Sequence, residues 1–281
     1  MVPPPRQYPS ARPRCNVPGD SHAESRLDYG LPTFLAFLAS AAGGIINSIA
    51  GGGTLLTFPA IVALGIPPLT ANATSTVGLW PASVGSMWGY RDQLAGSRAW
   101  IARFALPSLL GGGVGAVLLL RTGSEQFARI VPFLVLAATL LFMLQKPILR
   151  ALWRSEPAAS PRGPTALFLL LQFGVGIYGG YFGAGIGILM LAVLELMGLT
   201  NIHQMNGLKN WGGMCINAVA AIWFIVNDVV VWPVALALAV GGLAGGYVGA
   251  RMAQRVGQAA VRRAVVIIGL ASFVWLLLRP M

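Results

Sequence analysis

Residues 44–54 read GIINSIAGGGT, and residues 176–186 read GIYGGYFGAGI. In both, an apolar run is cut by a glycine cluster. A short apolar run follows, then a turn (GIPPLT at 65–70, GLTNIH at 198–203), then a long segment with Asn near its start. Further on, LLGGGVGA at 109–116 resembles AVGGLAGGYVGA at 239–250. Recurrence in the same order and spacing marks an internal duplication, the first feature to read in any chain.

Working outward, apolar segments fall at 34–50, 54–66, 72–90, 100–120 and 127–145. They resume at 165–182, 186–199, 204–226, 230–250 and 263–279. Between the two sets lies KPILRALWRSEPAASPRGP, 146–164, with four cations and four prolines. Five segments per half is an odd number, so the second half must sit upside down relative to the first. That is the plan of secondary transporters, with substrate between the halves. Segments 54–66 and 186–199 are too short to cross a bilayer alone, because a spanning helix needs ~20 residues. They are expected as half-helices or re-entrant elements.

The composition names the solvent. Of 281 residues, 56% are hydrophobic and 10% charged, against about 25% charged in soluble proteins. So few charges cannot keep a sphere of this size wet, so most of the chain must face lipid. Continuous apolar runs, rather than alternating ten-residue ones, exclude a transmembrane barrel. The fold expected is an all-α polytopic membrane protein of two inverted repeats, about five helical segments each. Its parts are a Pro/Arg-rich disordered tail (1–31), a first repeat (32–145), a basic linker (146–164) and a second repeat (165–281). The apolar run after the tail has a mock cleavage site at Ala39-Ser40-Ala41, but the preceding region is too long for a signal peptide.

The net charge of +11 does not indicate nucleic acid, because the cations cluster in short loops between apolar runs. Loops 91–103, 146–162 and 251–263 carry three, four and four cations, against two at 121–129 and none at 227–229. The positive-inside rule makes the first set cytoplasmic, which implies a bacterial inner membrane. It also strands the four tail arginines outside if three segments cross before residue 91. Trp100, Trp153 and Trp232 sit near segment ends, as an interfacial belt requires. No GxSxG, HExxH, DxD or P-loop is present, so an enzyme is not expected. Two Cys (Cys15, Cys215) and two His, far apart in sequence, make no zinc set, so neither metal nor cofactor is expected.

The intramembrane polar residues carry what chemistry there is. A helix restarts after each glycine loop, and its orphan N–H groups can hold an anion without a cationic side chain. Gly51, Gly52, Gly53 and Thr54 in one loop, and Gly183 and Gly185 in the other, are therefore binding candidates. The stripes Gly111/Gly115 and Gly241/Gly245/Gly249 are packing seams instead. Asn206, Lys209, Asn210, Gly213 and Asn217 share one helical face. Asn72, Ser75, Thr76 and Ser83 make the counterpart. Asn47 and Thr74 join them as oriented polar groups. Glu195 is the single carboxylate deep in an apolar segment, and it precedes the 198–203 turn by about as much as Lys209 follows it. A Glu195–Lys209 charge pair is expected, because a lone cation at helix centre costs roughly 2.5–3.5 kcal/mol. His203 reads as a polar turn residue.

These motifs resemble the sulfite exporter TauE/SafE family of anion permeases. The likeness rests on Gly51-Gly52-Gly53-Thr54, Phe58-Pro59, Gly65 and Ala71-Asn72-Ala73-Thr74-Ser75. The second-half block Gly179-Gly180-Tyr181-Phe182-Gly183-Ala184-Gly185-Ile186-Gly187 supports it, and coverage is residues 34–279. The chain departs where the family often repeats Thr-Ser: here stands Gly207-Leu208-Lys209-Asn210, and Pro59 faces Leu191. The resemblance implies export or import of a small sulfur-containing or organic anion. The sequence reading adds proton coupling, with the lipid bilayer and a homo-oligomer as further partners. The rival is a non-transporting assembly or anchoring protein with a packed polar core.

Overall fold

The computed structural model describes residues 30–153, 166–253 and 259–278. Every expected apolar segment forms one helix. In chain order they are α1 (Gly30–Ala50), α2 (Thr54–Ala63), α3 (Pro68–Gly89), α4 (Arg98–Thr122) and α5 (Ser124–Trp153). Then come α6 (Ala166–Tyr181), α7 (Ile186–Leu196), α8 (Ile202–Val226), α9 (Trp232–Ala253) and α10 (Ala259–Leu278). A 3-10 turn, Arg91–Leu94, follows α3. The chain is an all-α, multi-pass membrane protein. The tail and the later part of the linker lie outside the described residues. The linker's first eight residues continue α5 as helix to Trp153, with Pro147 inside it.

Among the described residues, four stretches are long and apolar enough to cross a bilayer: Gly30–Ile49, Arg98–Thr122, Ser124–Leu144 and Trp232–Ala253. α4 shows how such a helix sorts itself. Gly111, Gly112, Gly115 and Ala116 are buried, while Leu106, Leu110, Val114 and Leu118 are exposed. Small residues turn inward and bulky apolar ones outward, the arrangement a lipid solvent selects. A β-carbon on Gly115 would collide with the Ile177 carbonyl, and one on Gly245 with that of Ala41. The two stripes thus seat α4 on α6 and α9 on α1, backbone against backbone.

The halves are interleaved. α9 packs on α1 and α3, α4 packs on α6 and α8, and α3 meets α8 between the two groups. α3 and α8 have the length to cross but bury Asn72, Thr74, Ser75 and Ser83, and Asn206, Lys209 and Asn210. A helix whose polar face meets another helix instead of lipid can afford that composition.

The short helices double back. A β-carbon on Gly43 would meet Thr57 Cγ2 and the Gly53 carbonyl, and one on Gly53 would meet Gly43 O and Asn47 Cβ. α2 therefore runs antiparallel along the end of α1. Its ten residues reach only ~15 Å of a hydrocarbon core about 30 Å thick. α7 folds back on α6 similarly, the Tyr178 hydroxyl donating to the Ala184 carbonyl at 2.7 Å.

Candidate functional site

The two breaks meet inside the bundle. Gly51 has φ +79°, and a β-carbon there would stand 2.5 Å from Gly187 Cα. Only glycine permits both the conformation and the approach. Gly183 and Gly185, each at φ +80°, make the corresponding turn. Gly52 lies on the Phe142 ring and Gly185 beside Ala138, both on α5. The backbone N–H groups of Leu55 and Leu56 donate to the carbonyls of Gly52 and Gly53, and that of Ile188 to Gly185. The glycine loops are thus partly closed by their own turns and by packing. Polar side chains of α3 and α8 reach the ends of the preceding helices, α6 and α1.

At the α1 end, Lys209 Nζ donates to the carbonyls of Ser48 at 3.0 Å and Asn47 at 3.3 Å. Both carbonyls lie in the last turn of α1, at the negative end of its dipole; that of Asn47 also accepts from the Gly51 N–H at 2.9 Å. Lys209 is 2% exposed. The expected Glu195 pair is not formed: among the described residues no ion pair involves Lys209, and Glu195 sits half-buried on α7. The helix end supplies the counter-charge that the sequence reading assigned to a carboxylate.

An ammonium has three N–H donors, and two are used here. Buried polar atoms without a protein partner include Asn206 Oδ1 and Asn210 Nδ2 on the helix that carries Lys209, Ser48 Oγ on a residue whose carbonyl Lys209 holds, and the Tyr90 hydroxyl. Tyr90, fully buried at the end of α3, turns its hydroxyl toward that of Ser48. One turn beyond Asn210, a β-carbon on buried Gly213 would have nothing within 4 Å. The stripe therefore borders interior space. Buried polar groups in native proteins are ordinarily bonded, so these four atoms have capacity for a further polar partner.

At the α6 end, Asn72 Nδ2 donates to the Tyr181 carbonyl at 3.1 Å, leaving its Oδ1 unbonded. Ser75 and Thr57 share a 2.6 Å hydroxyl bond. Other candidates are spent elsewhere. Thr74 Oγ1 accepts from the Val231 N–H and so holds the start of α9, and Thr76 bonds back to the Asn72 carbonyl. Asn217 is half-buried farther along α8. His203 begins α8, its N–H donating to the Asn201 cap. Sequence reading missed Ser48, Tyr90 and Thr57. Ser48 borders a flagged loop, but Tyr90 at a segment end looks interfacial and carries no signal.

Helices broken at paired glycine turns, with buried polar groups gathered at the breaks, define a polytopic membrane transporter. The chain belongs to the sulfite exporter TauE/SafE family, whose model matches residues 36–276. It is 31% identical over 258 residues to a protein of Sinorhizobium sp named "Probable membrane transporter protein ORF9", covering 90% of this chain and 95% of that one. It is 29% identical to "Probable membrane transporter protein YfcA" of Escherichia coli K12, over 87% of each. A Haemophilus influenzae protein named in the same words is 27% identical, over 86% of this chain and 93% of its own.

Proposed function

We propose that this transporter moves a small sulfur-containing or organic anion across the bacterial inner membrane, and that the anion binds at Lys209. The observation that carries the reading is a buried ammonium without a carboxylate, held on two carbonyls with a donor to spare. The Asn210 amide and the Ser48 and Tyr90 hydroxyls offer further donors to an oxyanion, and charge-assisted bonds of this kind are the strong ones. The family's name, sulfite exporter, supports a sulfur oxyanion first. Cation-rich loops support a cytoplasmic face at the linker end. The crosswise packing of α1–α5 and α6–α10 supports two inverted repeats that rock about the α3–α8 contact. A proton is the coupling ion this reading favours, carried on Lys209 as the anion enters and leaves.

The test is thermal stabilisation of the purified protein by sulfite, sulfate, thiosulfate, sulfonates and carboxylates, repeated on Lys209→Met. One or more of these should stabilise the wild type and none the variant. Equal stabilisation of both would remove Lys209 from the site. Space at Gly213 weighs against the rival, a packed non-transporting core. In a background of Cys15→Ser and Cys215→Ala, a Gly213→Cys thiol should react with a polar reagent and be shielded by the anion. An inert thiol would favour the packed core.

A further inference from the structure

The α1 end and the α6 end differ in one respect that has a chemical consequence. α1's terminal carbonyls are covered by a cation that belongs to the protein, the Lys209 ammonium. Ser75 precedes Lys209 by 134 residues, the same interval that separates Asn72 from Asn206. Where the second half puts an ammonium, the first half thus puts a hydroxyl.

The α6 end is rich in oxygen. Both Phe182 N–H and Gly183 N–H donate back to the Tyr178 carbonyl, so the Gly179 carbonyl lies beyond the last regular helical bond. A β-carbon on Gly183 would lie 3.1 Å from that carbonyl and 4.0 Å from Thr54 Oγ1. The Asn72 amide is tied to Tyr181 O through its nitrogen, and its Oδ1 is unbonded on a residue with 0% exposure. The Ser75 and Thr57 hydroxyls bond each other, Thr57 Oγ1 also donating to the Gly53 carbonyl at 3.3 Å, and each oxygen keeps lone-pair capacity.

We propose that the C-terminal end of α6, with Asn72 Oδ1 and the hydroxyls of Ser75, Thr57 and Thr54, is a binding site for sodium. Hard oxygen donors at a half-helix C-terminus suit an alkali cation. The set holds no carboxylate, and no cluster of three acidic, His or Cys side chains occurs among the described residues. Calcium and magnesium sites draw on carboxylates, so the charge selects a monovalent ion. The site is separate from Lys209 and stands whether or not the anion reading does.

The experiment is thermal unfolding and radiolabelled-sodium binding on the full-length protein in nanodiscs. Sodium, potassium and choline chlorides are compared at constant ionic strength, with no other candidate anion. Sodium should stabilise saturably over potassium and choline. Asn72→Ala should weaken sodium binding at least tenfold, and Ser75→Lys, which builds the mirror ammonium, should abolish it while keeping the protein folded. Indistinguishable unfolding in the three salts with no labelled sodium bound would overturn the proposal, as would full sodium binding by folded Ser75→Lys. Anion stabilisation measured in choline salts is read separately, so either reading can fail alone.

Discussion

The first and second glycine breaks are built alike and finished differently. Each ends a long helix at a glycine with φ near +80° and starts a helix of ten or eleven residues. Each is reached by a polar side chain from the other half: Lys209 on α8 for α1, Asn72 on α3 for α6. One cap is charged and the other neutral. Equivalent backbone thus supplies two negative helix ends, and the caps decide that one meets a fixed cation while the other keeps its oxygens. The two breaks share a backbone plan, and a few side chains distinguish them.

Alanine at the two turns separates packing from conformation and should give the largest effects. Gly51→Ala meets both a left-handed backbone and Gly187 Cα, so no monodisperse protein should be recovered on size-exclusion chromatography. Gly183→Ala meets the conformational cost, about 1–2 kcal/mol, and a carbonyl contact that can relax. It should fold with a lowered melting temperature. Equal behaviour of the two would show that the breaks do not differ in packing.

Next come the caps. Lys209→Met should lower anion affinity about 100-fold, since losing a buried charged partner costs ~2–5 kcal/mol. Asn72→Ala should leave anion affinity within about threefold. Titration of both variants with the anion that stabilises the wild type checks this, and a reversed order would exchange the roles of the two ends.

A smaller, two-sided effect is expected at Gly213. Alanine there has room, so unfolding should show a gain of about 0.5–1 kcal/mol from the helix-interior glycine, while proteoliposome uptake falls as the space narrows. A gain in stability with unchanged uptake would place the substrate elsewhere.

The smallest effect belongs to Glu195→Gln. Half-buried and unpaired with Lys209, it should shift stability by less than ~0.5 kcal/mol and leave uptake intact. A large loss would restore the pair that the structure does not show.

Much of this was legible in the sequence. Ten apolar segments, two of them short, and the inward polar stripes all follow from local periodicity and the demands of a lipid solvent. These are nearest-neighbour and solvent effects, written residue by residue. Partner choice was not legible. Lys209 was assigned to Glu195 across a nearby turn, yet its carbonyls lie more than 160 residues away in sequence. The sequence reading counted side-chain charges, and the counter-charge here is backbone, exposed only because α1 stops. The glycine loops looked like donor sites because a helix starts after each. Their contact with one another and with α5 packs those glycines, and polar side chains from the other half meet the helix ends before them. Which end of a broken helix meets the polar side chains of the other half is set by how the two halves dock, and docking is a property of the tertiary structure alone.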